Sequence, residues 1–297
     1  MSAEIAVVVN SRKVDKSTMS ALKAAIAEHE LGKVAWYSIE HGSDGAKAAA
    51  KAVRRGAEVV VVCGGDGTVR AASEALSGTK SVLAVVPAGT ANLFATGLKL
   101  PSDPADVIAA VVAGASIRLD NGTCNGQTFN VMAGSGFDAA MIADAEDGKE
   151  RWGTLAYVKS GIREARARDP FVASVRVDGD TLFEGEATCV LVANIGSLKA
   201  GVEAMPDASP VDGLLDVAVI TANGAREWAS LMVSALRHRQ QSSSHALLSQ
   251  GERISVKFDE KHRFELDGGC KGKAKKLDFE VMPRALRVCI ASPASQT

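Results

Sequence analysis

A chain of 297 residues, 46% hydrophobic and 23% charged, carries enough apolar surface to exclude a mainly disordered protein, and its length favours two domains over one. With 34 basic and 35 acidic residues the net charge is −1, which excludes nucleic-acid binding driven by bulk positive potential but not the binding of one small anion. No apolar run approaches the roughly 18 residues that span a bilayer, and Met1 to Ile5 lacks the basic stretch of a secretion signal, so a cytoplasmic setting is expected. The five cysteines (Cys63, Cys124, Cys189, Cys270, Cys289) form no CxxC pair, which argues against a disulfide framework or a zinc site.

In chain order, the first third alternates strand and helix. Ile5 to Val9 is a β-branched run stopping at Asn10-Ser11, and Ser17 is the expected cap of a helix carrying Leu22 and Ile26 on one face. Val34 to Ile39 reads as a second strand, and Ala46 to Arg55 as a helix ended by Gly56. Val59 to Cys63 and Val82 to Val86 are continuous apolar runs, the pattern of parallel strands buried on both faces. Helices follow at Val69 to Leu76 and from Pro104 to Gly114. The alternation predicts a parallel sheet covered by helices, over residues 1–120.

Beyond Asp120 the period changes to two, as in Val172 to Val177 with a turn at Asp178-Gly179-Asp180. Further strands are expected at Thr188 to Ile195, Leu215 to Ile220, Ile254 to Phe258, Arg263 to Leu266, Leu277 to Val281 and Leu286 to Ile290. Helices are expected at Trp152 to Arg168 and Arg226 to Arg239. This predicts an antiparallel β domain over 121–283, a sandwich or open barrel. Lys271, Lys273, Lys275 and Lys276 read as a solvated hairpin tip.

The chemistry is concentrated in Gly64-Gly65-Asp66-Gly67-Thr68, between an apolar strand and a helical pattern. Glycines let a backbone approach a ligand, and the helix start directs N–H groups and its positive dipole end there. Phosphate is the expected occupant, with the Asp66 carboxylate tolerable beside it where a cation or a reacting hydroxyl intervenes. Gly65 is expected to be the point of closest approach. Pro87-Ala88-Gly89-Thr90-Ala91-Asn92 follows the next strand, so both loops lie at the carboxyl edge where open α/β sheets bind ligands. Thr90 and Asn92 offer it a hydroxyl and an amide.

Those two loops, with Ala95, resemble the diacylglycerol kinase catalytic domain, and in particular bacterial soluble lipid kinases related to sphingosine and ceramide kinases. The resemblance extends through Asn10, where the family has an Asn-Pro nucleotide contact but this chain has Ser11, and Ser38, where the family usually has a threonine near the adenosine. It continues through Gly134-x-Gly136-Phe137-Asp138-Ala139, Gly153 to Tyr157, and Pro210 to Val217 with its Asp212-Gly213-Leu214-Leu215-Asp216 segment. It implies a two-domain, peripherally membrane-associated enzyme that moves the γ-phosphoryl group of ATP to a lipid hydroxyl such as that of diacylglycerol or a sphingoid base. ATP would lie in an inter-domain cleft, on Asn10, Ser38, Gly64 to Thr68, Gly89, Thr90 and Asn92. Mg²⁺ would be held by the Asp212 carboxylate with the carbonyls of Ser209 and Leu214. The last strand, within 284–297, would return to the first domain. The partner would be a lipid at the membrane surface, with no nucleic acid, and a homodimer is compatible with the pattern.

The chain departs from the family at one position. Where the family reads Asp-Gly-Glu, with the glutamate as base, this chain reads Asp267-Gly268-Gly269. Asp267 or Asp66 would then serve as base, or Glu265 would reach in, or the chain would be a weakened or non-catalytic nucleotide- or lipid-binding relative. An NAD kinase-like enzyme shares the glycine loop, but the Asn-Glu pair expected after it is missing.

Overall fold

The structure, a computed structural model, describes residues 4–136, 170–196, 205–224, 226–228, 230–231 and 245–291. The expected helix at 152–168, the segment Gly153 to Tyr157, Phe137-Asp138-Ala139 and most of the expected helix at 226–239 lie outside these residues; 226–228 and 230–231 are helical. The chain divides into two compact units, residues 1–121 with 283–297, and residues 122–282.

In the first unit, β1 (Ile5–Asn10) is flanked by β2 (Val34–Ile39) and β3 (Val59–Gly64), and β3 by β4 (Val82–Pro87), all parallel. The valine runs of β1 and β3 are buried almost end to end because helices cover the sheet. Val7, Val9, Val61, Cys63, Ala84 and Val86 join Leu22 of α1 (Lys16–Glu28) and Val107 and Ile108 of α5 (Pro104–Ala113) in one core. The cap of α1 is Asp15, not Ser17: the Asp15 carboxylate accepts the Thr18 N–H at 2.7 Å, and the Ser17 hydroxyl donates to the same carboxylate. Two capping residues stood two positions apart, and the ionised one took the helix end. On the other side, α2 (Gly45–Arg54) packs against α3 (Asp66–Leu76).

The second unit is antiparallel. Its strands run β12–β11–β10–β7–β13–β14, with β8 and β9 continuing from β13. Here β7 is Met132–Ser135, β8 Phe171–Val177, β9 Asp180–Ala187 and β10 Cys189–Ala193. β11 is Leu215–Ile220, β12 Ala246–Gly251, β13 Arg253–Leu266 and β14 Gly269–Cys289. Alternation places Phe171, Ala173, Val175 and Val177 of β8 in a core with Ile254, Val256, Leu277 and Phe279.

Three expectations change. Leu277 to Val281 and Leu286 to Cys289 are parts of one 21-residue strand, β14, and Ile290 follows its end. Its last stretch pairs in parallel with β4, Arg287 to Val82 and Val288 to Leu83. The lysine group at 271–276 lies along this strand, and the hairpin tip is Asp267-Gly268, both at positive φ. Strands β5 (Ser116–Cys124) and β6 (Gln127–Phe129), a hairpin, had no sequence signal because β5 is polar and does not alternate. All five cysteines are free.

Candidate nucleotide and metal sites

Four strand ends meet at the carboxyl edge of the first unit's sheet. Asn10 closes β1, buried at 4% exposure, and its side-chain Nδ2 donates to the Thr68 hydroxyl at 3.1 Å, while its side-chain Oδ1 accepts the Arg12 N–H. Thr68 is thereby fixed one turn into α3. Ser38 is exposed near the end of β2, in register with Val9. Two glycines beyond it join the site although the sequence reading gave them no role. A Cβ on Gly42 would meet the Gly67 carbonyl carbon and the Thr68 nitrogen at 3.3 Å, and one on Gly45 would lie 3.0 Å from the Thr68 oxygen. Their signal was two glycines three residues apart directly after an exposed strand.

The glycines of the loop after β3 do different work. A Cβ on Gly65 would stand 3.1 Å from the Cα of Gly89, and one on Gly89 2.6 Å from the Cα of Gly65. The two loops are therefore packed back to back, and the Ala88 N–H donates to the Gly64 oxygen at 2.9 Å between them. The expectation that Gly65 is glycine to admit phosphate is corrected: its missing side chain admits Gly89. Gly67 is the opposite case. It lies exposed in the first turn of α3, its φ is not positive, and a Cβ there would meet none of the described residues within 4 Å.

Asp66 is half-buried at the start of α3, and its carboxylate accepts the Phe94 N–H at 3.2 Å, which ties it to α4 (Leu93–Gly97). Asn92 departs from expectation. Its amide accepts from the Gly89 N–H and donates to the Gly89 oxygen, both at 2.8 Å, with the backbone left-handed at φ +48°. That amide shapes the loop instead of facing a ligand. Thr90 is exposed beside it. α3 begins without a side-chain cap, which leaves its N-terminal dipole end to act on whatever binds there.

In the second unit Asp267 is corrected as well. Its carboxylate, 6% exposed, accepts the N–H groups of Asn130 (2.9 Å), Val131 (2.8 Å) and Met132 (3.1 Å). A carboxylate accepting three backbone hydrogen bonds fastens β7 to the hairpin and has little capacity left to take a proton from a substrate. Glu265 is half-buried on β13, opposite Gly134 and Cys270. Gly269 is exposed, and a Cβ there would meet only the Leu266 oxygen at 3.4 Å.

Asp212 occupies an exposed turn, where its Oδ1 accepts the Leu214 N–H at 3.0 Å and Gly213 has φ +79°; Ser209 is half-buried just before it. Asp216, four residues on, is buried. Burial pushes its carboxyl up to about 6, and the carboxylates of Asp212 and Asp207 add to the rise. Among the described residues no three His, Cys, Asp or Glu side chains converge on one metal position. A lone carboxylate with carbonyl oxygens nevertheless suits Mg²⁺, a hard cation that keeps most of its waters, and excess negative charge around Asp216 favours a cation nearby.

Comparison with known proteins bears on both halves of the chain. Residues 4–124 match the diacylglycerol kinase catalytic domain, and residues 131–290 match the YegS C-terminal NAD kinase beta sandwich-like domain. A diacylglycerol kinase of Bacillus subtilis is 30% identical over 231 residues, spanning 76% of this chain and 75% of that protein. A probable lipid kinase YegS-like protein of Pseudomonas aeruginosa is 31% identical over 274 residues, 89% of this chain and 87% of its own. A solved structure of a putative diacylglycerol kinase from Bacillus anthracis has the same fold, with a TM-score of 0.80 at 21% identity over 99% of this chain and 98% of that one. With both units matched and relatives of this identity aligned over most of their length, the chain belongs to the diacylglycerol kinase family of YegS-like lipid kinases.

Proposed function

We propose that the chain transfers the γ-phosphoryl group of ATP to the hydroxyl of a membrane lipid, diacylglycerol or a sphingoid-like alcohol, acting at the membrane surface from the cytoplasm. Among the described residues no helix is long and apolar enough to cross a membrane, which agrees with attachment from one side. The observation that carries the reading is Gly67. Glycine within a helix costs about 0.5–1 kcal/mol relative to alanine. Neither backbone conformation nor packing against the described residues calls for it at this position. Its side-chain direction is open among the described residues, and a phosphate over the start of α3 is the natural occupant.

In this reading the backbone of Gly64 to Thr68 holds the phosphates, and Asn10 keeps Thr68 and the loop in place. Asp66 orients the lipid hydroxyl and takes its proton as the oxygen–phosphorus bond forms and the bond to the ADP oxygen breaks. Mg²⁺ would be held by Asp212 with the Ser209 and Leu214 carbonyls and would supply positive charge to offset that of phosphate. Phosphoryl transfer depends mainly on positioning and charge neutralisation, so glycine at 269 is compatible with turnover.

Gly67→Ala tests this directly. The variant should melt at or slightly above the wild-type temperature, yet lose ATP affinity by tenfold or more in calorimetric titration with Mg²⁺ present. Undiminished affinity would detach the loop from the nucleotide. Asp66→Asn should lower lipid phosphorylation by about 10²–10⁴-fold, the usual contribution of a general base.

A further inference from the structure

The outer face of the second unit carries a groove of about 550 Å³. Its floor is the solvent side of β13 and β14, whose alternate residues, such as Val256 and Leu277, point into the core. One wall is the β5–β6 turn. Asn125 donates its N–H to the Asp278 oxygen at 2.9 Å and its Nδ2 to the Lys276 oxygen at 3.0 Å, and its Oδ1 accepts the Asp278 N–H at 2.9 Å. The β8–β9 turn at Asp178-Gly179 also borders the groove, and the Asp178 carboxylate accepts the Arg253 N–H at 2.8 Å. Both turns are thus fastened to the floor by the chain itself.

Four cations and two carboxylates line this groove, and their pairing is incomplete. Glu280 lies 3.5 Å from Arg253, directly across the two strands, and Asp278 lies 2.8 Å from Lys276. Asp278 also accepts the Ser255 hydroxyl at 3.0 Å. Arg176 and Lys257 are left over. Both are exposed, and among the described residues neither has an ion pair or a side-chain hydrogen bond. Lys257 also stands directly opposite Lys276. Like charges so placed destabilise a strand pair, a cost that a bound anion reverses.

We propose that the groove binds the phosphate group of a phosphomonoester, with the Arg176 guanidinium and the Lys257 ammonium as its cationic contacts. Arg176 of β8 is opposite Ser255 of β13, and Lys257 is two residues beyond Ser255 on the same face. The two are therefore diagonal neighbours, about 7–8 Å apart at Cα, a separation that long side chains close around one anion. A planar donor fork beside a compact ammonium suits a phosphate dianion. That group is common to a soluble phosphate ester and to the head of a phosphorylated lipid. The groove lies wholly in the second unit, whereas the glycine loop belongs to the first.

The full-length Gly67→Ala variant is titrated calorimetrically with inorganic phosphate at low ionic strength, with neither ATP nor a lipid acceptor. On the kinase reading this substitution closes the first unit's loop to phosphate; if that reading fails, the groove is still intact, so the two failures are separable. Saturable binding should persist in Gly67→Ala. Adding Arg176→Gln or Lys257→Gln should weaken it about tenfold, the loss expected when one charge-assisted contact is removed. Without phosphate, the added Lys257→Gln should leave the melting temperature equal or higher, because the opposed ammonium groups are gone. No saturable binding in Gly67→Ala, or unchanged affinity in both further variants, overturns the proposal. So does a lower melting temperature on adding Lys257→Gln, which would give that lysine a structural partner. Phosphatidylcholine vesicles with and without phosphatidate then distinguish the sources. Sedimentation that requires phosphatidate and is lost with Arg176→Gln and Lys257→Gln together assigns the lipid head; phosphate binding without such sedimentation assigns a soluble ester.

Discussion

Asp66 and Asp267 each stand beside a glycine in a family motif, one at the strand-end loops of the first unit and the other at the β13–β14 hairpin of the second. Their surroundings divide them. Asp66 is half-buried at the mouth of a helix whose next residue, Gly67, faces open space. Asp267 is buried and holds three consecutive backbone N–H groups of the segment leading into β7. The Asp66 carboxylate accepts the Phe94 N–H beside an exposed helix start, whereas the Asp267 carboxylate is buried under three backbone donors.

The comparison breaks most visibly at Asp267. Asp267→Ala would leave three buried donors without their acceptor, and each unsatisfied group costs about 1–3 kcal/mol. A loss of about 3 kcal/mol or more is expected in urea unfolding. A loss below about 1 kcal/mol together with abolished turnover would restore Asp267 as the base. Gly65→Ala comes next. The new methyl group presses on the Gly89 backbone, and overpacking of this kind costs about 1–3 kcal/mol, so the melting temperature should fall even without ligand. Gly65→Asp, with more bulk than alanine at the same contact, should be destabilised at least as much. The smallest stability effect belongs to Gly269→Glu. Among the described residues a Cβ at 269 would meet only the Leu266 oxygen, at 3.4 Å, so unfolding should change by no more than about 0.5 kcal/mol. Lipid phosphorylation should rise if the base is what the chain lacks. An unchanged rate would assign that task to Asp66 alone.

The first unit was more legible than the second, for physical reasons. β3 and β4 are buried on both faces and read as unbroken apolar runs, and the loops after them are marked by glycine. β5 offered neither alternation nor an apolar run, and Gly122 within it lies against the Phe129 ring, a contact between residues whose pairing no local pattern announces. Pro283 lies inside β14; a proline lacks the N–H of a sheet ladder and marks a break by local pattern, but the strand continues through it. In the site, the residues that collect at the sheet edge were visible, whereas the division of labour among them was not. The closed amide of Asn92 and the contact of Gly65 with Gly89 exist only once two loops distant in sequence are side by side. Asp267 was misread for the same reason, since its three donors lie 135 to 137 residues away.

The back-to-back contact of Gly65 and Gly89 also bears on motion. Two backbones touching without side chains between them have no soft layer to absorb a displacement, and the Ala88 N–H on the Gly64 oxygen adds a tether. The loops after β3 and β4 must therefore shift together or not at all. A ligand touching only residues 65–68 would slow amide exchange in residues 88–94 as well, because opening either loop alone would tear the seam between them.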